Sequence, residues 1–212
     1  MIIAVDGPAA AGKGTLGRRL ARHFNLAFLD TGGLYRAVGL KVLERGGDPT
    51  DADTAEAAAE TVQASDLEDP RLREDRVSSA ASVVAAIPAV RAALLAFQRE
   101  FAHRPPPGYA GALLDGRDIG TVVCPDATVK LFLTASAEAR AARRFKELQE
   151  AGVETIYQRV LQDIEQRDTR DRERPTAPLR PAGDAIELDT TALDADAAFA
   201  KAADLIARKL KG

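Results

Sequence analysis

Apolar positions along this chain switch between two periods, and each switch marks an element. Ile2-Ile3-Ala4-Val5 is an unbroken apolar run closed by Asp6-Gly7, as expected of a short buried strand. After a loop of glycine and alanine, Leu16, Leu20 and Ala21 recur at helical spacing. Ala27-Phe28-Leu29 predicts a second strand ending at Asp30-Thr31-Gly32. The next helix runs through Tyr35, Val38 and Val42 to Arg45, with Thr31 as its N-cap and Gly46-Gly47 as its stop. Ala112-Leu113-Leu114-Asp115, Val129-Lys130-Leu131-Phe132-Leu133 and Ala185-Ile186-Glu187-Leu188 predict three further strands. Helical periodicity covers 138–149, 155–167 and 196–210.

Between 48 and 110 the pattern changes. This stretch is alanine-rich and charged, with turns at Asp48-Pro49 and Asp69-Pro70 and no strand-like run. Pro88 opens a helix whose stripe is Val90, Leu94, Leu95 and Phe97, and His103-Arg104-Pro105-Pro106-Pro107-Gly108 then forms a stiff loop. Short strands alternating with helices imply an α/β fold: a parallel sheet of five strands covered on both faces, interrupted by a helical insertion. In such sheets ligands bind beyond the carboxyl ends of the strands. The loops after Val5, Leu29, Leu114 and Leu133 are therefore the ones to search for chemistry.

Composition narrows the class. A chain of 212 residues, 46% hydrophobic and 29% charged, can build one buried core. A net charge of −3 argues against a general nucleic-acid binder. Cys124 is the single cysteine, which leaves no internal disulfide and no thiolate metal cage, and His23 and His103 do not make a metal site. His23 is expected at a helix C-terminus, facing solvent. The first strand begins at Ile2, leaving no room for a signal segment, and no apolar run approaches the ~18 residues of a membrane span. The expected compartment is the cytoplasm, and the expected state a monomer without membrane or nucleic-acid partners.

The loop Gly7, Pro8, Ala9, Ala10, Ala11, Gly12, Lys13, Gly14, Thr15 sits between a strand and a helix, the setting that a phosphate-binding loop requires. Its glycines let successive N–H groups point at a polyphosphate. Lys13 reaches the outer phosphates, and the helix N-terminus adds partial positive charge. Gly14 separates Lys13 from Thr15, which weakens Thr15 as a direct magnesium ligand. Further along, Arg36 follows the second strand, Arg117 and Asp118 follow the third, and Arg140, Arg143 and Arg144 share a helix. An alternating run then covers Arg167, Asp168, Thr169, Arg170, Asp171, Arg172, Glu173 and Arg174. Such a set suits phosphoryl transfer to an acceptor that is itself a phosphate monoester. That acceptor needs no general base, and guanidinium forks offset the repulsion between two polyanions.

These residues carry a resemblance. The 7–15 loop, Asp30-Thr31-Gly32-x-x-Tyr35-Arg36, Ala81-Ser82 with Arg91 nine residues on, Asp115-Gly116-Arg117-Asp118-x-Gly120-Thr121-Val122-Val123, and Arg167-Asp168-x-x-Asp171-Arg172-x-Arg174 ahead of Ala177-Pro178-Leu179 resemble the bacterial cytidylate kinases over nearly the whole chain. The resemblance implies a P-loop kinase-type domain spanning 1–212. Its core would be 1–47, 111–138 and 182–212, its monophosphate-binding insertion about 48–110, and its lid and base- and ribose-contacting region about 139–181. It also implies ATP-dependent phosphorylation of CMP and dCMP with Mg2+.

Carried over by position, residues 7–15 would bind ATP, with Arg140 and Arg144 in or beside the lid. Thr31, Arg36 and Arg117 would hold the acceptor phosphate, and Ser82, Arg91, Asp118 and Arg174 would surround the base. Arg167 and Asp171 would contact the ribose. Lys13, Arg36 and Arg117 would be the catalytic cations, with Thr15 and Asp115 candidates for metal contact through water. Gly33 stands where many relatives carry alanine, which should weaken that helix start. Three other readings stay open: a kinase for UMP, AMP or a shikimate-like acceptor, a non-catalytic nucleotide switch, and an RNA-associated protein using the 167–174 arginines.

Overall fold

The computed structural model describes residues 1–211. Contacts divide the chain into two compact units, Met1–Leu29 with Ala102–Gly212, and Asp30–Phe101.

The first unit is built on β1 (Ile2–Asp6), β2 (Ala27–Asp30), β3 (Ala112–Gly116), β4 (Val129–Thr134) and β5 (Ile186–Asp189). They form one five-stranded parallel sheet in the order β2-β3-β1-β4-β5. The register aligns Val5 with Asp115 of β3 and Leu131 of β4, so β1 is central and its carboxyl end lies between those of its neighbours. Uninterrupted burial of β3 explains its unbroken apolar run, because both faces of a parallel sheet are covered. Helix α1 (Lys13–His23) puts Leu16, Leu20 and Ala21 into a cluster with Ile3, Val5, Leu113, Leu131, Leu133 and Leu188. Ala202 and Ile206 of α8 (Ala195–Lys211) complete it.

The unit Asp30–Phe101 contains α2 (Thr31–Glu44), α3 (Ala52–Ala59), two 3-10 turns (Ala64–Glu68 and Pro70–Arg73), α4 (Asp75–Val84) and most of α5 (Pro88–His103). This unit begins at Asp30 because α2 packs with α4 and α3. Ala37 and Leu40 of α2 form a small core with Leu72 and Val77. At Gly39 the helices approach so closely that a Cβ would lie 3.0 Å from the Ala81 backbone nitrogen and 3.1 Å from the Ala80 Cβ.

Two local readings need correction. Thr31 is the first residue of α2, not its cap; the cap is Asp30, whose side chain accepts the Gly33 N–H at 3.2 Å. Asp is as good an N-cap as Thr, and only Asp30 has extended backbone. The helix expected over 155–167 is α7 (Tyr157–Glu173), so most of the arginine–aspartate run is helical. The charges had masked its continuation, since a helix end needs no apolar stripe to extend.

Gly39→Val is expected to destabilise the protein by about 1–3 kcal/mol through overpacking against backbone. Gly183→Ala, where a Cβ meets nothing within 4 Å, should stay within about 0.5 kcal/mol. Urea denaturation followed by circular dichroism compares the two.

Candidate active site

The loop after β1 is shaped by one close approach. Gly7 has φ +149°, and a Cβ there would lie 2.3 Å from the Leu133 carbonyl oxygen of β4. Only glycine fits. Gly12 adopts φ +86° immediately before α1, and Ala10 takes φ 57°. Lys13 opens α1 with 6% exposure, and its ammonium donates to the Pro8 carbonyl at 2.8 Å. Burial, then the neighbouring Arg117 charge, pulls the Lys13 ammonium down to about 7, against opposing pulls from Asp115, Asp171 and Asp6. Thr15 is exposed.

Arg140 lies on α6 (Ala137–Glu150) and is 2% exposed. It donates two hydrogen bonds to the Asp168 carboxylate of α7, at 2.9 and 2.5 Å, and others to the carbonyls of Ala9 at 3.1 Å and Ala135 at 3.0 Å. Its guanidinium therefore grips the phosphate loop by the backbone. Arg143 donates to the Thr190 and Leu193 carbonyls beyond β5, and Arg144 pairs with Glu147 at 3.4 Å. The pair α6 and α7 has its own apolar core of Ala141, Leu148, Val160 and Ile164, against which Ala10 packs.

At the end of β3, Asp115 is buried. Its Oδ2 would lie 3.6 Å from a Cβ on Gly14, beside the start of α1. Arg117 donates to Asp171 of α7 at 2.9 Å, and Arg174 donates to Asp118 at 3.4 Å and to the Ala177 carbonyl at 2.6 Å. Two guanidinium–carboxylate pairs thus tie the β3 turn to the C-terminal end of α7, and Asp118, Asp171 and Arg174 are all buried. Burial alone would push the Asp171 carboxyl up. The Arg117 charge and hydrogen bond, with the charges of Arg174 and Arg167, prevail and hold it below the usual range. Arg172 is largely exposed and lies 3.4 Å from Asp168.

Within Asp30–Phe101, Arg36 pairs with Asp30 at 2.6 Å. Cβ atoms on Gly32 would meet the Arg36 guanidinium and Asp30 Oδ1, each at 3.1 Å, so the glycines at this helix start leave room for the pair. Thr31 is buried beside it. Ser82 is buried on α4. Arg91 of α5 donates to the Ala85 carbonyl at 3.2 Å and lies 5.5 Å over the Tyr35 ring.

Sequence reading passed over three acids that hold these groups: Asp6, Asp30 and Asp168. Asp6 and Asp30 did carry a signal, being the polar ends of apolar strands. Asp168 stands in the Arg167–Arg174 motif, but nothing local points to Arg140, 28 residues away, as its partner.

Among the described residues no three His, Cys, Asp or Glu side chains gather into a site able to hold a metal. One carboxylate, Asp115, beside the phosphate loop suits Mg2+ carried on nucleotide phosphates, which needs only one or two protein carboxylates. No single helix among the described residues is long and apolar enough to cross a membrane.

Asp168→Asn should cost about 3–5 kcal/mol, because Arg140 is left buried and charged. Pairing Arg140→Met with Asp168→Leu should restore most of that stability. ATP binding should stay weakened, because the grip on Ala9 is gone. Thermal denaturation and equilibrium ATP titration read the two effects separately.

A family model described as cytidylate kinase matches residues 3–208. A cytidylate kinase of Granulibacter bethesdensis is 61% identical, covering 99% of this chain and 98% of its own. One of Paramagnetospirillum magneticum is 60% identical, covering 98% of each. Among solved structures, a gluconokinase from Sinorhizobium meliloti has a TM-score of 0.51 at 15% identity, over 97% of this chain and 91% of its own, a likeness of fold alone. The chain belongs to the cytidylate kinase family.

Proposed function

We propose that this protein transfers the γ-phosphoryl group of ATP to CMP and dCMP, giving the diphosphates and ADP. The observation that carries the reading is the cation set around the phosphate loop: Lys13, buried at the start of α1, and Arg117, whose guanidinium is held by Asp171. Family membership supports the acceptor.

On the donor side, the backbone N–H groups of residues 7–15 and the α1 N-terminus receive the ATP phosphates. Lys13 turns from Pro8 to the outer phosphates, Arg140 keeps the loop in shape through Ala9, and Arg144 flanks the nucleotide. Asp115 and Thr15 would hold Mg2+ through water, and the ion would supply charge neutralisation of the ATP phosphates. On the acceptor side, Thr31, Arg36 and Arg117 hold the phosphate. Arg36 and Arg117 exchange part of their carboxylate pairing for phosphate oxygens, so little solvent reorganisation accompanies transfer. Asp118 accepts from the cytosine amino group, while Ser82, Arg91 and Arg174 serve its acceptor edge and Asp118 itself. Arg167 and Asp171 meet the ribose hydroxyls. The incoming phosphate monoester attacks as a dianion, so no general base is required.

ADP release measured with ATP, Mg2+ and each of CMP, dCMP, UMP, AMP and GMP tests the reading. Fast turnover with CMP and dCMP, slower with UMP and none with purines is expected. Preference for another acceptor would overturn the base assignment, and nucleotide binding without acceptor-dependent turnover would favour a switch. Arg117→Ala should lower kcat by about 10²-fold or more while ATP still binds.

A further inference from the structure

We propose that Asp6 is a positioning residue of the acceptor side, its carboxylate holding in place the turn that carries Arg117 and Asp118. The inference rests on the function proposed above. Asp6 is the last residue of the central strand, in register with Gly116 of β3 and Phe132 of β4, and it is 5% exposed. An acid there has to be explained. Its two oxygens accept one backbone N–H each, from Ile119 and Gly120, both at 2.8 Å.

Those donors open a single turn of π-helix, Ile119–Val123, and the first N–H groups of any helical turn have no partner within it. The turn's own bonds begin later: Val122 and Val123 donate to the Asp118 carbonyl at 2.9 and 3.2 Å. Because each oxygen is engaged separately, the carboxylate cannot rotate without losing a bond. The turn is thereby fixed at its first residues, directly after Arg117 and Asp118. On the other side of Asp6 the chain enters the phosphate loop at Gly7. One side chain therefore registers the acceptor-binding turn against the donor loop.

Charged groups around it act in both directions. Asp118 from the turn pushes the Asp6 carboxyl up and Lys13 from α1 pulls it down; burial, the largest influence, raises it to about 6 against its two N–H bonds. Asp115 and Arg117 on the β3 side act on the same Lys13. From β4, the Lys130 stem lies against Gly120, while its ammonium goes to the Pro125 carbonyl and Asp184. Protonation would turn one acceptor into a hydroxyl and loosen the turn.

In Asp6→Asn an amide NH2 faces one of the two N–H donors. We expect kcat/KM for CMP to fall by about tenfold or more, with the KM for CMP raised, while the ATP dissociation constant changes by less than about threefold. In an Arg117→Ala background the same change should cost less than it does alone, because the share of its effect that runs through Arg117 is already lost and only the share through Asp118 remains. Equal loss of ATP and CMP binding, or losses that add in the double variant, would overturn the proposal.

A second measurement needs no variant. In the wild-type protein the Ile119 and Gly120 amide resonances should titrate together near pH 6. The affinity for cytidine, which has no phosphate to titrate, should fall with the same midpoint as pH is lowered. Cytidine binding that ignores that titration would overturn the proposal. Failure of wild-type protein to phosphorylate CMP would instead sink the function it rests on and leave the amide titration standing.

Discussion

Everything at this site follows from the cost of taking like charges out of water. Lys13 is buried with Arg117 close enough to disfavour its charge, and two such cations persist only if carboxylates compensate them. Asp115, Asp171 and Asp6 do so, from β3, α7 and β1. A polyphosphate brings the missing negative charge. The protein thus folds with these groups already desolvated and only partly compensated, and the substrate supplies the remaining negative charge.

That balance requires backbone placement to a fraction of an ångström, and the sheet provides it. With β1 central, the phosphate loop leaves between β3 and β4. Gly7 presses against the Leu133 carbonyl on one side. Arg140 holds Ala9 from the other, anchored in turn by Asp168. A lysine or methionine in place of Arg140 could not supply that fork of donors. The arginines of α6 therefore divide their work: Arg140 and Arg143 bind protein backbone, and Arg144 pairs with Glu147 one turn on.

The strands, the phosphate loop and the helix after it were legible because each has a strong local cause: an apolar run, a positive-φ glycine, a 3.6-residue stripe. Pairings across the chain were not. Arg140 with Asp168, Arg117 with Asp171 and Asp6 with the Ile119 turn join residues 28, 54 and 113 apart, and no periodicity encodes them. The alternating charges of the run ending at Arg174 carry no period that tells inward from outward residues. As the end of α7 it turns Asp168, Asp171 and Arg174 inward and leaves Thr169, Arg170 and Arg172 outside. Asp30 was overlooked as a cap because Thr31 beside it is an equally good capping residue.

The central claim is that burial and the Arg117 charge hold the Lys13 ammonium down until phosphate arrives. Calorimetric titration with ATP at pH 8, in two buffers of different ionisation enthalpy, measures the protons exchanged. ATP is fully ionised there, and so is Asp6 with its carboxyl near 6. With its ammonium pulled down to about 7, Lys13 should take up protons as ATP binds. Binding heats that do not depend on the buffer would mean that Lys13 was already charged, and would contradict the account.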